Sequence, residues 1–139
     1  MNKITYARVS GYEAAIAAAS HADVHVIAAE GELLEPQITE LADETVRLSA
    51  AGRHNVVLDL SRVHHVDYRC IRQLAARARF LRAAGGDLKI CGLSVYLASI
   101  FRAAGFYGEL DIHDTVQSAS AAFAYAALDD SDDVDAAAI

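Results

Sequence analysis

An α/β domain, with a mixed, mostly parallel central sheet of about four or five strands and about four helices, is the fold class this sequence predicts. Three observations point to it. Short apolar runs alternate along the chain with stretches of helical periodicity. Glycines stand at the joints, as at Gly52, Gly85-Gly86, Gly92 and Gly105. The run Val56–Leu60 is nearly continuous in apolar residues, the pattern of a strand covered on both faces.

The elements follow in order. Lys3–Ser10 alternates weakly and suits an edge strand, and the Ala-rich Tyr12–Ser20 suits a short helix. Val24–Ala29 is a strand with Val24, Val26 and Ala28 on one face, punctuated by Gly31. Pro36 fits the first helical position, where its missing N–H costs nothing. Ile38, Leu41, Ala42, Thr45 and Leu48 then follow at helical spacing as far as Gly52. Val56–Leu60 is the central strand. A tight loop should carry the chain to Asp67, which can cap the next helix by accepting from an unpaired N–H. Ile71, Leu74, Ala75, Ala78 and Leu81 form the apolar stripe of that helix, and Gly85-Gly86 ends it. Leu88–Cys91 is another strand. Ser94 caps a helix with the stripe Leu97, Ile100, Phe101 and Ala104, stopped by Gly105. Leu110–Ile112 is a short strand. Asp114 and Gln117 suit a capping box for a last helix whose inward residues are Val116, Ala119, Phe123 and Ala126.

With 139 residues, 54% of them apolar and no Trp, the chain can build one core from Ala, Val, Ile and Leu. Most of its net charge of −7 comes from Asp129, Asp130, Asp132, Asp133 and Asp135. Residues 1–128 therefore read as a single domain and 129–139 as an acidic, disordered tail. The near-neutral body lacks the basic footprint of a nucleic-acid binder. No run approaches the ~20 apolar residues of a membrane helix, and the first residues lack a signal-peptide layout. The expectation is a cytoplasmic protein with no direct membrane insertion.

Asn55–Cys70 (NVVLDLSRVHHVDYRC) is the most informative segment, because it puts polar side chains at the carboxyl end of a buried strand, where open α/β sheets bind their partners. His64, His65, Asp67 and Cys70 are metal-capable types. Adjacent histidines on a strand point apart, however, and a zinc site needs about four converging ligands. Cys70, with a neighbouring His and Asp, is a thiol nucleophile by residue type, and a small buried hydrophobe is its plainer description. No phosphate-binding glycine loop is present, because Gly85-Gly86 follows a helix instead of a strand. Neither a cofactor nor a metal is expected. Arg69, Arg72 and Arg79 share an outward helix face, which is either a solvated surface or a dock for an acidic partner, the chain's own Asp-rich tail included.

Three stretches together resemble the STAS domain family of bacterial anti-sigma-factor antagonists and of sulfate-type transporter tails. Gly31-Glu32-Leu33 is similar to the family's G-x-L, and Val56–Asp67 to its strand ending in Asp. Gly85-Gly86-Asp87-Leu88, followed by Ser94–Phe106, is similar to its G-G strand and next helix. The resemblance implies a STAS-like fold. It also implies a regulatory protein, not an enzyme, that binds an anti-sigma factor and serine kinase of the histidine-kinase-like ATPase type. A second copy of the chain is a further candidate partner.

In the family, a serine or threonine phosphorylated by the partner follows the Asp. Here Asp67 is kept, but Tyr68, Arg69 and Cys70 replace the usual Ser-Ser-Gly, and Leu34 replaces the acidic residue after G-x-L. Tyr68 is thus the phosphosite-equivalent position and is not expected to be phosphorylated, because its hydroxyl sits on a rigid ring far from the backbone. Ser61 and Ser94 stay open as substitute acceptors. The resemblance places partner binding on Glu32, His65, Asp67, Tyr68, Arg69, Arg72 and Ser94. The alternative is a phosphorylation-independent STAS adaptor subunit of a signalling scaffold or of a lipid or anion transport complex.

Overall fold

The apolar runs become five strands of one sheet, in the spatial order β1-β2-β3-β4-β5. The computed structural model describes residues 3–8 and 24–124. The strands are β1 (Lys3–Arg8), β2 (Val24–Leu33), β3 (Asn55–Val66), β4 (Asp87–Cys91) and β5 (Asp111–His113). β1 lies antiparallel on the edge beside β2, and every later pairing is parallel. Parallel neighbours need crossovers, which the helices supply. These are α1 (Glu35–Ala50), α2 (Ile71–Ala83) and α3 (Val95–Ala103), with short 3₁₀ turns at Tyr68–Cys70 and Tyr107–Glu109. A last helix, α4 (residues 116–124), follows β5. The expected helix Tyr12–Ser20 and the acidic tail lie outside the described residues.

The sheet is covered on both sides. One face carries Ile27, Val56, Leu58, Leu60 and Ile90, packed against Ile38 and Leu41 of α1, the α2 stripe, and Leu97 and Phe101 of α3. Each such side chain contributes roughly 1.5–3 kcal/mol relative to exposure. The other face carries a smaller core in which Ala119 and Phe123 of α4 cover Val24, Val57 and Cys91. Lys89 is buried beside that core, with its ammonium 4.6 Å from the Phe123 ring centre and bonded to Asp111 (2.6 Å) and Asp87 (3.2 Å). A buried cation so placed needs those two carboxylates.

Several boundaries differ from the sequence reading. β2 runs to Leu33 instead of Ala29, and β3 runs to Val66 instead of ending in a loop after Leu60. Here each strand supplies the other's hydrogen bonds past the end of β4, which pairs β3 only as far as Asp59. Pro36 is second in α1, not first: Leu34 is the N-cap, and its N–H donates to the Gln37 side chain (3.0 Å). The α4 capping box sits one residue later than expected. Thr115 and Ser118 exchange bonds of 3.1 and 3.3 Å, in place of Asp114 and Gln117. β5 is likewise one residue later than expected.

Candidate functional site

Beyond Asp59 the sheet narrows to a two-stranded ribbon of β2 and β3. β2 keeps its strict alternation there, but β3 carries two extra residues. Ala28 pairs Asp59 while Glu30 pairs Arg62, and Gly31 pairs Val63 while Glu32 pairs His65. Each extra residue is a bulge that turns the following side chains to the other face. The positions of β3 buried in the larger core are therefore Val56, Leu58, Leu60, Val63 and Val66, spaced by two and then by three. Gly31 has φ 87°, a left-handed conformation open to glycine, and sits at the second bulge.

The bulges decide what the histidines do. His64 faces Glu32, with Nε2 3.9 Å from the carboxylate, while Arg62 pairs with Glu30 at 2.9 Å. His65 turns toward α3 instead. Its Nδ1 lies 2.9 Å from the Tyr96 hydroxyl, and the two rings stack with centres 6.1 Å apart. Among the described residues no group of three or more His, Cys, Asp and Glu side chains is arranged to hold a metal.

Asp67 ends the ribbon and opens the next turn. Its N–H donates to the Leu33 carbonyl (3.0 Å), which fixes it against β2. Its carboxylate accepts from the Arg69 N–H (3.0 Å) and from both ends of the Arg69 guanidinium fork (3.1 and 2.9 Å). The Arg69 side chain and then its backbone N–H hold the Asp67 carboxyl below the usual carboxylate range, and Asp67 raises Arg69 in return. The cap thus serves the 3₁₀ turn Tyr68–Cys70 that leads into α2. Arg69 is exposed to solvent yet internally paired.

Tyr68 is thrown outward from this braced turn and is 62% exposed. Cys70 is buried, and burial first, then the negative charges of Asp67 and Glu35, push its thiol up. A protonated, enclosed thiol is not poised for nucleophilic chemistry. Ser94 caps α3 by accepting from the Leu97 N–H (3.1 Å). The residues after it, Val95 and Tyr96, are 88% and 52% exposed.

The structure therefore gathers Glu32, His65, Asp67, Tyr68, Arg69 and Ser94 at the carboxyl end of the strands, with Arg72 on the exposed side of the first turn of α2. The outward arginine face is partly structural, because Arg79 reaches Glu109 (3.8 Å) and Arg82 reaches Asp87 (2.8 Å). Sequence reasoning missed Val95 and Tyr96. Their signal was available, since both are large apolar residues that fall off the α3 stripe.

The STAS domain model matches residues 15–119. The chain belongs to the STAS domain family. A curated relative in Bordetella bronchiseptica, which carries the name anti-sigma factor antagonist BtrV, is 29% identical over 98 residues, covering 70% of this chain and 78% of its own. An anti-sigma factor antagonist from Mycobacterium paratuberculosis superposes with a TM-score of 0.65 at 18% identity, over 87% of this chain and 94% of that one. The antagonist SpoIIAA of Bacillus, in its unphosphorylated form, gives 0.57 at 16% identity, over 82% and 92%. The last two likenesses are of fold. In this STAS domain the turn after Asp67 carries the exposed Tyr68 ring and the enclosed Cys70. Among the described residues no helix is long and apolar enough to cross a membrane.

Proposed function

We propose that this STAS protein is an anti-sigma-factor antagonist that docks on an anti-sigma factor with a histidine-kinase-like ATPase fold and thereby releases the sigma factor. The relatives named as antagonists support the class. One observation carries the site: an exposed Tyr68 on a turn braced by the Asp67–Arg69 fork, at the carboxyl end of the sheet. A preformed turn loses little entropy on binding, and aromatic anchors often dominate interface energetics. Docking on this reading is constitutive. The phenolic oxygen sits several ångströms farther from the backbone than a serine hydroxyl, out of register with a serine kinase, so no phosphate on Tyr68 switches it off.

The test uses the purified anti-sigma factor of the encoding genome. The chain should bind it, and Tyr68→Ala should weaken binding by at least ~1–2 kcal/mol. Peptide mass mapping after incubation with that partner and ATP should show no phosphate on Tyr68. An unchanged dissociation constant for Tyr68→Ala refutes the site, and a phosphate on Tyr68 refutes constitutive docking.

A further inference from the structure

Large apolar side chains exposed among the described residues are few, and three of them, Tyr68, Val95 and Tyr96, occupy one end of the sheet. α3 packs against both β3 and the Tyr68–Cys70 turn, and its Tyr96 meets His65, three residues before Tyr68. The Tyr96 ring does not swing freely, because its hydroxyl is held at 2.9 Å by His65 Nδ1 and its face stacks on that imidazole. Charges along the ribbon and its closing turn are largely spent on one another. Asp67 and Arg69 neutralise each other, as do Glu30 and Arg62. Arg72 is the exception. Every other arginine whose side chain is described has an ion pair, a ring face or a hydrogen bond, as Arg69, Arg77 and Arg102 show. Among the described residues Arg72 has none, and it lies four residues beyond Tyr68.

We infer that the first turn of α3 and Arg72 complete the docking surface, and that the partner presents an apolar hollow for Val95 and the Tyr96 ring beside a carboxylate for Arg72. This rests on the antagonist reading and names the chemistry of the partner's face. An apolar hollow excludes water from the Val95 side chain and the Tyr96 ring. The carboxylate meets a cation that has no internal partner to give up, so the pair forms without breaking an existing one. A basic rim would be repelled at the same place, which discriminates between otherwise similar anti-sigma factors. His65 is a positioning residue that acts through Tyr96.

The experiment titrates the full chain into the purified anti-sigma factor of the encoding genome by calorimetry, at low and high salt. Val95→Asp and Arg72→Glu should each weaken binding by about tenfold or more. Both side chains are exposed, so the thermal midpoints should stay those of the unmodified chain. Arg72→Glu should also flatten the salt dependence, because the lost pair is a rim charge. His65→Ala should weaken binding, and His65→Gln, which keeps a hydrogen-bonding group in reach of the Tyr96 hydroxyl, should restore most of it. If Tyr68→Ala weakens binding while Val95→Asp and Arg72→Glu stay within about twofold of the unmodified chain, the inference is overturned and the antagonist reading stands. If the unmodified chain does not bind at all, the antagonist reading falls and takes the inference with it.

Discussion

Gly85 and Gly86 are neighbours with unlike reasons to be glycine, and replacing each by alanine separates those reasons. Gly86 lies where α2 hands over to β4. A Cβ there would stand 1.9 Å from the His54 carbonyl oxygen and 2.4 Å from its carbon. Ordinary contact begins near 3.4 Å, so the two backbones must part by about 1.5 Å. That movement breaks the 3.0 Å bond from the Asp87 N–H to the same oxygen and opens the first β3–β4 pair, Asn55 with Asp87. The lost bond costs about 1 kcal/mol and the forced backbone shift about 1–3 kcal/mol. Gly86→Ala should therefore lose about 3 kcal/mol. Gly85 has φ 93°, and a Cβ placed on it would have no atom within 4 Å. Its alanine variant meets only the left-handed conformation, about 1–2 kcal/mol, partly offset by about 0.4–1 kcal/mol of entropy removed from the unfolded chain. The assay is urea unfolding followed by far-ultraviolet circular dichroism. With a slope of about 1–3 kcal/mol per molar, Gly86→Ala should lower the midpoint by about 1–3 M without changing the slope, and Gly85→Ala by much less. Equal midpoints for the two variants would refute the close approach of His54.

Three further outcomes follow from individual groups. Ser120 is buried on α4 with a hydroxyl that has no hydrogen-bond partner among the described residues, so Ser120→Ala should leave stability unchanged or raise it by up to ~1 kcal/mol. A clear loss on urea unfolding would show that the hydroxyl has a partner after all. The depressed Asp67 carboxyl gives a pH dependence with a definite sign: its contribution to stability is complete above the unfolded value of about 3.9 and is lost as pH falls through the lower folded value. Carbon-detected titration should place its midpoint below about 3.9 and shift it upward in Arg69→Ala, and an ordinary midpoint in the unmodified chain would contradict the fork. Burial, then the Asp59 charge and hydrogen bond, push the Cys91 thiol up to about 12, and Cys70 is raised as well. Both should resist iodoacetamide in mildly alkaline buffer until urea unfolds the chain, whereas rapid labelling of the native protein would contradict their enclosure.

Most of the framework was legible because it rests on local periodicity. The α2 stripe from Ile71 to Leu81 and the α3 stripe through Leu97 and Phe101 are the buried faces that spacing alone predicts. The caps at Asp67 and Ser94 hold for the same reason, since a carboxylate or hydroxyl at a helix entrance satisfies an N–H within three residues. The end of β3 was not legible. Val63 and Val66 follow Leu60 at intervals of three, a spacing that breaks the strand rhythm, so Ser61–Val66 read as a loop. The bulges that reconcile this spacing with an extended strand exist only because β2 lies alongside with its own unbroken alternation.

The α/β class, the order of the elements and the STAS resemblance were all present in the linear chain. All of these are properties of residue type and spacing along one chain. Folding alone established that His65 braces Tyr96 and that the first turn of α3 meets the end of the ribbon before Tyr68. These relations join residues from different strands and helices, or depend on which way a bulge turns a side chain. Neither is set until the sheet is assembled.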